Sequence, residues 1–243
     1  MSDNLVLVFD LETVPDVQAW ATAAGLHGHT ETSLRGQMGD KFPRQIFHRI
    51  VCIGALLADR GADGIWRATV LEAPTLAERG ERELIQDFVD RIDQLKPRLV
   101  TFNGASFDLP VLRYRAMMHK VSAAGLAARR YFDRFASDTI DLCDLLSSYD
   151  NHHRVGLSQL ARVLGLPGKP EGVDGGAVEG LFRDGRHAEI SDYCRSDVLN
   201  TYRVWLRHEL FRGMLGEVEF AASEAELADF LERTDQARQL PRR

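Results

Sequence analysis

The stretch Leu5-Val-Leu-Val-Phe-Asp-Leu-Glu-Thr13 decides the fold. Its first five residues form a short apolar run of β-favouring type, which reads as a buried strand. Asp10 and Glu12 follow two apart at the carboxyl end of that strand, so both side chains project from one face. A pair of solvated acids at a strand end fits this pattern equally well when it is taken alone.

The same reading extends outward. Residues 14–49 are polar and contain Gly, and are too long for an ordinary connection, so they form a functional flap or a helical insertion. Residues 50–57 and 65–71 read as strands joined by a turn. Leu84, Ile85, Phe88, Val89, Ile92 and Leu95 recur at helical spacing, and Pro97 closes that helix. Residues 98–102 give a fourth strand, and Pro110 sits in the first turn of the helix after it. An amphipathic helix is expected over 138–148 and a short one over 158–164, followed by a Gly- and Pro-rich loop to 176. A long helix spans 187–214, with Leu199, Tyr202, Leu206 and Leu210 on one stripe. Residues 1–215 thus make one α/β domain, a sheet with helices packed on it. Residues 216–243 form a polar C-terminal helix or tail.

Composition limits the function. The chain has 243 residues, 44% hydrophobic and 27% charged, enough for one large α/β domain or two small ones. Lys plus Arg number 30 against 36 Asp plus Glu, a net charge of -6, which excludes a basic coat over the whole surface. A local site holding cations can still receive phosphate. Cys52, Cys143 and Cys194 are isolated, which argues against a disulfide framework or a structural zinc site. With no basic leader and no apolar run of membrane length, the expectation is a cytoplasmic protein with no membrane partner.

Further acids ask for an explanation. Asp108 follows the fourth strand in Asn103-Gly-Ala-Ser-Phe-Asp108, where it could simply cap the next helix. Tyr193 and Asp197 lie four apart on the long helix and share a face, which could be solvated. The apolar neighbours Cys194 and Val198 argue that this face meets the sheet. In a compact sheet the four acids can meet at the carboxyl edge, where they would repel one another unless protonated or bound to cations. Hard oxygen ligands favour Mg²⁺ or Mn²⁺. Two such ions about 4 Å apart activate water and stabilise the leaving oxygen in phosphodiester hydrolysis.

Taken together, Phe9-Asp10-Leu-Glu12-Thr13, Asn103-x-x-x-Phe107-Asp108 and Tyr193-Cys-Arg-Ser-Asp197 resemble the three motifs of DEDD-type 3′–5′ exonucleases. Tyr193, four before Asp197, matches the tyrosine subclass. The wording is most similar to the proofreading domain of family-B DNA polymerases, and to the stand-alone predicted PolB-like 3′–5′ exonucleases. The resemblance runs from about Leu5 to His208 and includes Asp141-Leu-Cys-Asp-Leu145 and Gly165-Leu-Pro-Gly-Lys169. It implies a ribonuclease H-like mixed sheet flanked by helices. It also implies two divalent cations, Mg²⁺ or Mn²⁺, held by Asp10, Glu12, Asp108 and Asp197, with Asp10 bridging them. Tyr193 would orient the attacking water, and its phenol, with an ordinary pKa near 10, is a poor base at neutral pH. The 3′-hydroxyl would lie near Leu11 and Glu12. Thr13, Asn103 and Phe107 complete the implied substrate contacts, although an aromatic residue at 107 more often fills core and Asn103 could equally stabilise its loop.

Arg129, Arg130 and Arg134, and Arg35, Lys41, Arg44 and Arg49 in the insertion, could guide a phosphate backbone or be ordinary surface; Lys169 could reach the scissile phosphate. His27, His29, His152 and His153 lack partner ligands and read as surface residues. The expected activity is two-metal 3′–5′ hydrolysis of a single-stranded 3′ end, DNA favoured, releasing nucleoside 5′-monophosphates. The alternatives are RNA or oligonucleotide trimming, and a non-catalytic nucleic-acid-binding module.

Overall fold

The computed structural model describes residues 4–167 and 175–239. In chain order its elements begin with β1 (Leu5–Pro15), α1 (Val17–Ala24), α2 (Glu31–Met38), β2 (His48–Arg60) and β3 (Trp66–Glu72). They continue with α3 (Glu81–Leu95), β4 (Arg98–Thr101), α4 (Asp108–Met118), α5 (Ala124–Ala128), β5 (Thr139–Asp141), α6 (Leu142–Leu146) and α7 (Leu157–Val163). The chain closes with α8 (Val178–Arg183), α9 (His187–Phe211) and α10 (Glu217–Gln239).

The five strands form one sheet in the order β3-β2-β1-β4-β5. Pairing is antiparallel from β3 to β1 and parallel from β1 through β4 to β5. This is the ribonuclease H-like mixed sheet that the motifs imply.

Alternation along β1 divides the core. Val6 and Val8 face a cluster with Leu56, Val198, Tyr202 and Trp205 of β2 and α9. Leu7, Phe9 and Leu11 face the opposite cluster, with Ile85, Phe88, Leu109 and Leu112 of α3 and α4. Successive strand residues point to opposite faces. Asp10 and Glu12, in step with Val6 and Val8, therefore look toward α9.

Two expectations change. Residues 138–148 are not one helix: Thr139–Asp141 pair parallel with Leu99–Thr101, and helix α6 starts only at Leu142. Three strand residues are too few to impose a period of two on the pattern, so the helix signal after them dominates the reading. Asp108 does not cap its helix; Phe107 holds that position and the Asp108 carboxylate is used elsewhere. Residues Glu217–Gln239 form helix α10, which packs on the sheet. Its Leu227 and Ser223 are buried, and the Ser223 hydroxyl accepts the Trp66 N–H of β3 at 3.0 Å. The insertion carries α1 and α2, which close a small cluster of Val17, Ala21 and Leu34.

No helix among the described residues is long and apolar enough to cross a membrane. The three cysteines are free and buried.

Candidate active site

β1 outruns its parallel neighbour. Its register with β4 covers Val6 to Val8, whereas its register with β2 runs on to Pro15. The backbone from Phe9 onward thus has no strand on the β4 side, and a buried N–H there needs another acceptor. Asp108 supplies one: its Oδ1 accepts the Leu11 N–H at 2.9 Å. That bond spans 97 residues and fixes the start of α4 against the end of β1. A register shift between Glu12 and Thr13 ends the regular ladder at this point, as bulges beside functional sites do.

The third segment arrives on α9. In the sheet register Asp10 lies opposite Gly54. A Cβ on Gly54 would stand 2.6 Å from Cys194 Sγ and 2.9 Å from Val198 Cγ2, so only glycine admits α9 this close. The Cys194 thiol donates to the Asp10 carbonyl at 3.5 Å and lies 3.7 Å from Asp10 Oδ2. One turn of α9 then places Tyr193, 4% exposed, among Val14, Cys52 and Ile190, and buries Asp197.

Ligand atoms of Asp10, Glu12 and Cys194 lie within 4.8 Å of one another. Burial, first of all, lifts the Asp108 carboxyl to about 7, and the charges of Asp141 and Asp197 add to the rise. Buried carboxylates that raise one another's pKa lose that penalty beside a dication. The oxygen-rich donor set fits Mg²⁺ or Mn²⁺ better than a thiophilic metal. Burial, first of all, pushes the Cys194 thiol well above its ordinary value.

A cavity of about 370 Å³ opens beside these acids, lined among others by Leu11, Glu12, Thr13, Lys41, Phe42 and Phe107. Phe42 is 76% exposed, and its ring centroid lies 5.5 Å from that of Phe107. His48 meets the Phe107 ring edge-on at 4.9 Å and bonds Thr13 Oγ1 at 2.9 Å. Phe107 therefore both packs against the core and lines the cavity. Of the contacts expected from the motifs, Leu11 spends its N–H on Asp108, and Asn103 spends its side-chain oxygen on Arg154 at 2.8 Å. Phe42 was missed from sequence; an aromatic residue in a polar Gly/Pro stretch was its only signal.

The basic candidates are mostly tied down. Arg129 pairs with Asp138, Arg130 with Asp133, Arg134 with Asp144 and Arg35 with Glu179. Arg49 lies 3.8 Å from Glu81, while Lys41 and Arg44 are exposed. His27, His29, His152 and His153 are exposed. Lys169 lies outside the described residues.

Comparison with known proteins agrees on the fold. The model of a family described as a predicted 3′–5′ exonuclease related to the exonuclease domain of PolB matches residues 40–242, which leaves Asp10 and Glu12 outside the match. The family-B DNA polymerase of the hyperthermophilic archaeon Pyrobaculum calidifontis shares 18% identity at a TM-score of 0.56, over 86% of this chain and 24% of the polymerase. The chain thus spans about a quarter of that polymerase's length. A structure of exonuclease I gives 12% identity and a TM-score of 0.45, over 90% of this chain and 42% of that one. E. coli exonuclease I in complex with a dT13 oligonucleotide gives 13% and 0.41, over 82% and 39%. No curated protein matches the chain.

Proposed function

This chain belongs to the family of predicted 3′–5′ exonucleases related to the exonuclease domain of PolB, and on that premise we propose a two-metal 3′–5′ exonuclease acting on single-stranded 3′ ends. DNA is the favoured polymer and nucleoside 5′-monophosphates are the products. The observation that carries this reading is the junction at the end of β1. There Asp108 clasps Leu11, the thiol of Cys194 on α9 meets Asp10, and Asp197 acts electrostatically on Asp108.

Each residue has a role. Asp10, Glu12, Asp108 and Asp197 hold two divalent cations, Mg²⁺ or Mn²⁺. When bound, the ions supply the Lewis acidity that makes water a nucleophile at neutral pH and shields charge on the leaving oxygen. Tyr193, held by packing on α9, orients the attacking water through its hydroxyl. The cavity beside Glu12 and Thr13 receives the terminal nucleotide, with its base against Phe107 and Phe42. The reading puts an unpaired terminal base in this cavity, so a single strand is the form of substrate it expects. Leu11, Thr13 and Phe107 line this cavity, while Asn103 acts through its side-chain bond to Arg154.

The test is a labelled-strand assay. 5′-labelled single-stranded DNA, duplex DNA and RNA are incubated with Mg²⁺, Mn²⁺ or chelator. A ladder shortening from the 3′ end on single-stranded DNA, lost with chelator and in Asp10→Ala and Asp197→Ala, is the expected result. Intact substrate with binding retained would overturn the catalytic reading, and faster loss of RNA would reassign the polymer.

A further inference from the structure

A second group of aromatic and basic side chains lies outside the active site, along the β5 edge of the sheet. Phe135 is 75% exposed, and its ring centroid lies 5.0 Å from that of Tyr149. The Arg134 guanidinium carbon lies 5.3 Å from the Tyr149 ring. Phe132 is also partly exposed beneath Arg113, at 3.8 Å.

These rings are not loose. Tyr131, fully buried, donates its hydroxyl to the Pro97 carbonyl at 2.6 Å and anchors the segment that follows. Asp133 accepts the Phe135 N–H at 3.0 Å, which turns that ring outward. Ser148 and Tyr149 both adopt positive φ, 53° and 63°, which non-glycine residues rarely do in succession. Strain of this kind persists where the fold enforces it, and here it sets the Tyr149 ring beside Phe135.

The group is wired to the active-site loop. Arg134 grips the buried Asp144 carboxylate at 2.5 and 2.7 Å, and Arg154 binds the same carboxylate. Arg154 then reaches Asn103 Oδ1 at 2.8 Å and Ser106 Oγ at 3.4 Å, in the loop that ends at Asp108. In the sheet order, β5 lies two strands from β1, about 10 Å at ordinary strand spacing.

We propose that Phe135 and Tyr149, with Arg134 beside them, form a second binding site that stacks unpaired nucleobases upstream of the one being cleaved. The proposal rests on the nuclease reading and extends it from the terminal nucleotide to the strand behind it. Exposed, pre-set aromatic faces beside a guanidinium suit bases of any sequence, because every base presents a π-face. A salt bridge that shares Asp144 keeps two arginines close to this surface on an otherwise acidic chain.

The experiment measures binding of 5′-labelled dT3 and dT12 by fluorescence polarisation, in chelator and in Ca²⁺, for the parent and for Phe135→Ala/Tyr149→Ala. Thermal melting accompanies it to show that both proteins are folded. The double variant should lose at least about tenfold in affinity for dT12 and almost nothing for dT3. Phe135→Trp should keep the dT12 affinity and show quenched emission on binding. Equal dT12 affinity in the parent and the folded double variant, or unquenched emission at saturation, overturns the second site and leaves the nuclease reading standing. A parent that binds neither strand overturns both.

Discussion

Asp108 joins two roles that are usually separate. Its carboxylate closes the backbone of β1 and also belongs to the acid cluster, and burial holds its pKa at about 7. In metal-free protein the folded state keeps this proton after the unfolded chain has lost it near pH 4. The contribution of this one group to stability is therefore full below about pH 4, is lost as pH rises through about 7, and then levels. Replacing Asp108 by Asn keeps an acceptor for Leu11 and removes the ionisation. In chelator at pH 8, Asp108→Asn should be more stable than the parent by on the order of a few kcal/mol and melt higher, with the difference vanishing near pH 4. A parent whose melting temperature is flat between pH 4 and 8 would contradict this. Among the acids, Asp10→Ala or Asp197→Ala should lower kcat at least about a thousandfold, because direct charge stabilisation is worth several kcal/mol. Tyr193→Phe should cost less than about a hundredfold, since it removes only an orienting hydroxyl.

Two element contacts hold the site in shape. α9 lies on β2 only because residue 54 lacks a side chain. Gly54→Ala should cost about 1–3 kcal/mol in urea unfolding, as overpacked cores do, and lower kcat by moving Tyr193 and Asp197. Glu81, at the start of α3, joins the elements below the insertion. Its carboxylate takes the Ile50 N–H at 2.8 Å, Nε and Nη2 of Arg115 at 2.7 and 2.5 Å, and His119 at 2.9 Å. Arg115 is itself buried and also bonds Asp16, the residue that caps α1. Glu81→Ala leaves that buried guanidinium with Asp16 as its carboxylate partner and two N–H groups unmatched, and should cost about 3–5 kcal/mol by chemical denaturation. Glu81→Gln, which keeps hydrogen bonds but not charge, should lose less.

At the scale of the whole molecule, the sheet is open at both edges and the chain manages each edge differently. β3, one edge, is covered by α10 through Ser223, Leu227 and the Arg67–Glu226 pair. Removing residues 217–243 should uncover β3 as a free edge, which invites pairing between molecules. Size-exclusion chromatography of the truncated chain should show aggregates, and a clean, folded monomer would refute that role. The opposite edge, β5, is only three residues long and is flanked by the Phe135–Tyr149 surface. Short edge strands resist such pairing, so this side can be left to aromatic contacts.

The chain's own sequence was enough for the strand–acid junction at Asp10 and Glu12, for the long helix bearing Tyr193 and Asp197, and for the alternation that puts both acids on one face of their strand. These follow from local periodicity, which acts over a few residues. Other features were not local. β5 is a strand because β4 pairs with it, against the helical pattern of the residues after it. Asp108 looks like a helix cap until the unpaired N–H of Leu11, 97 residues away, claims it. Phe42 looks like a stray aromatic in a polar insertion until Phe107 and His48 come up beside it. Periodicity fixes which face a side chain takes. Which partner meets that face depends on chain closure over tens of residues, and only the packed tertiary structure decides it.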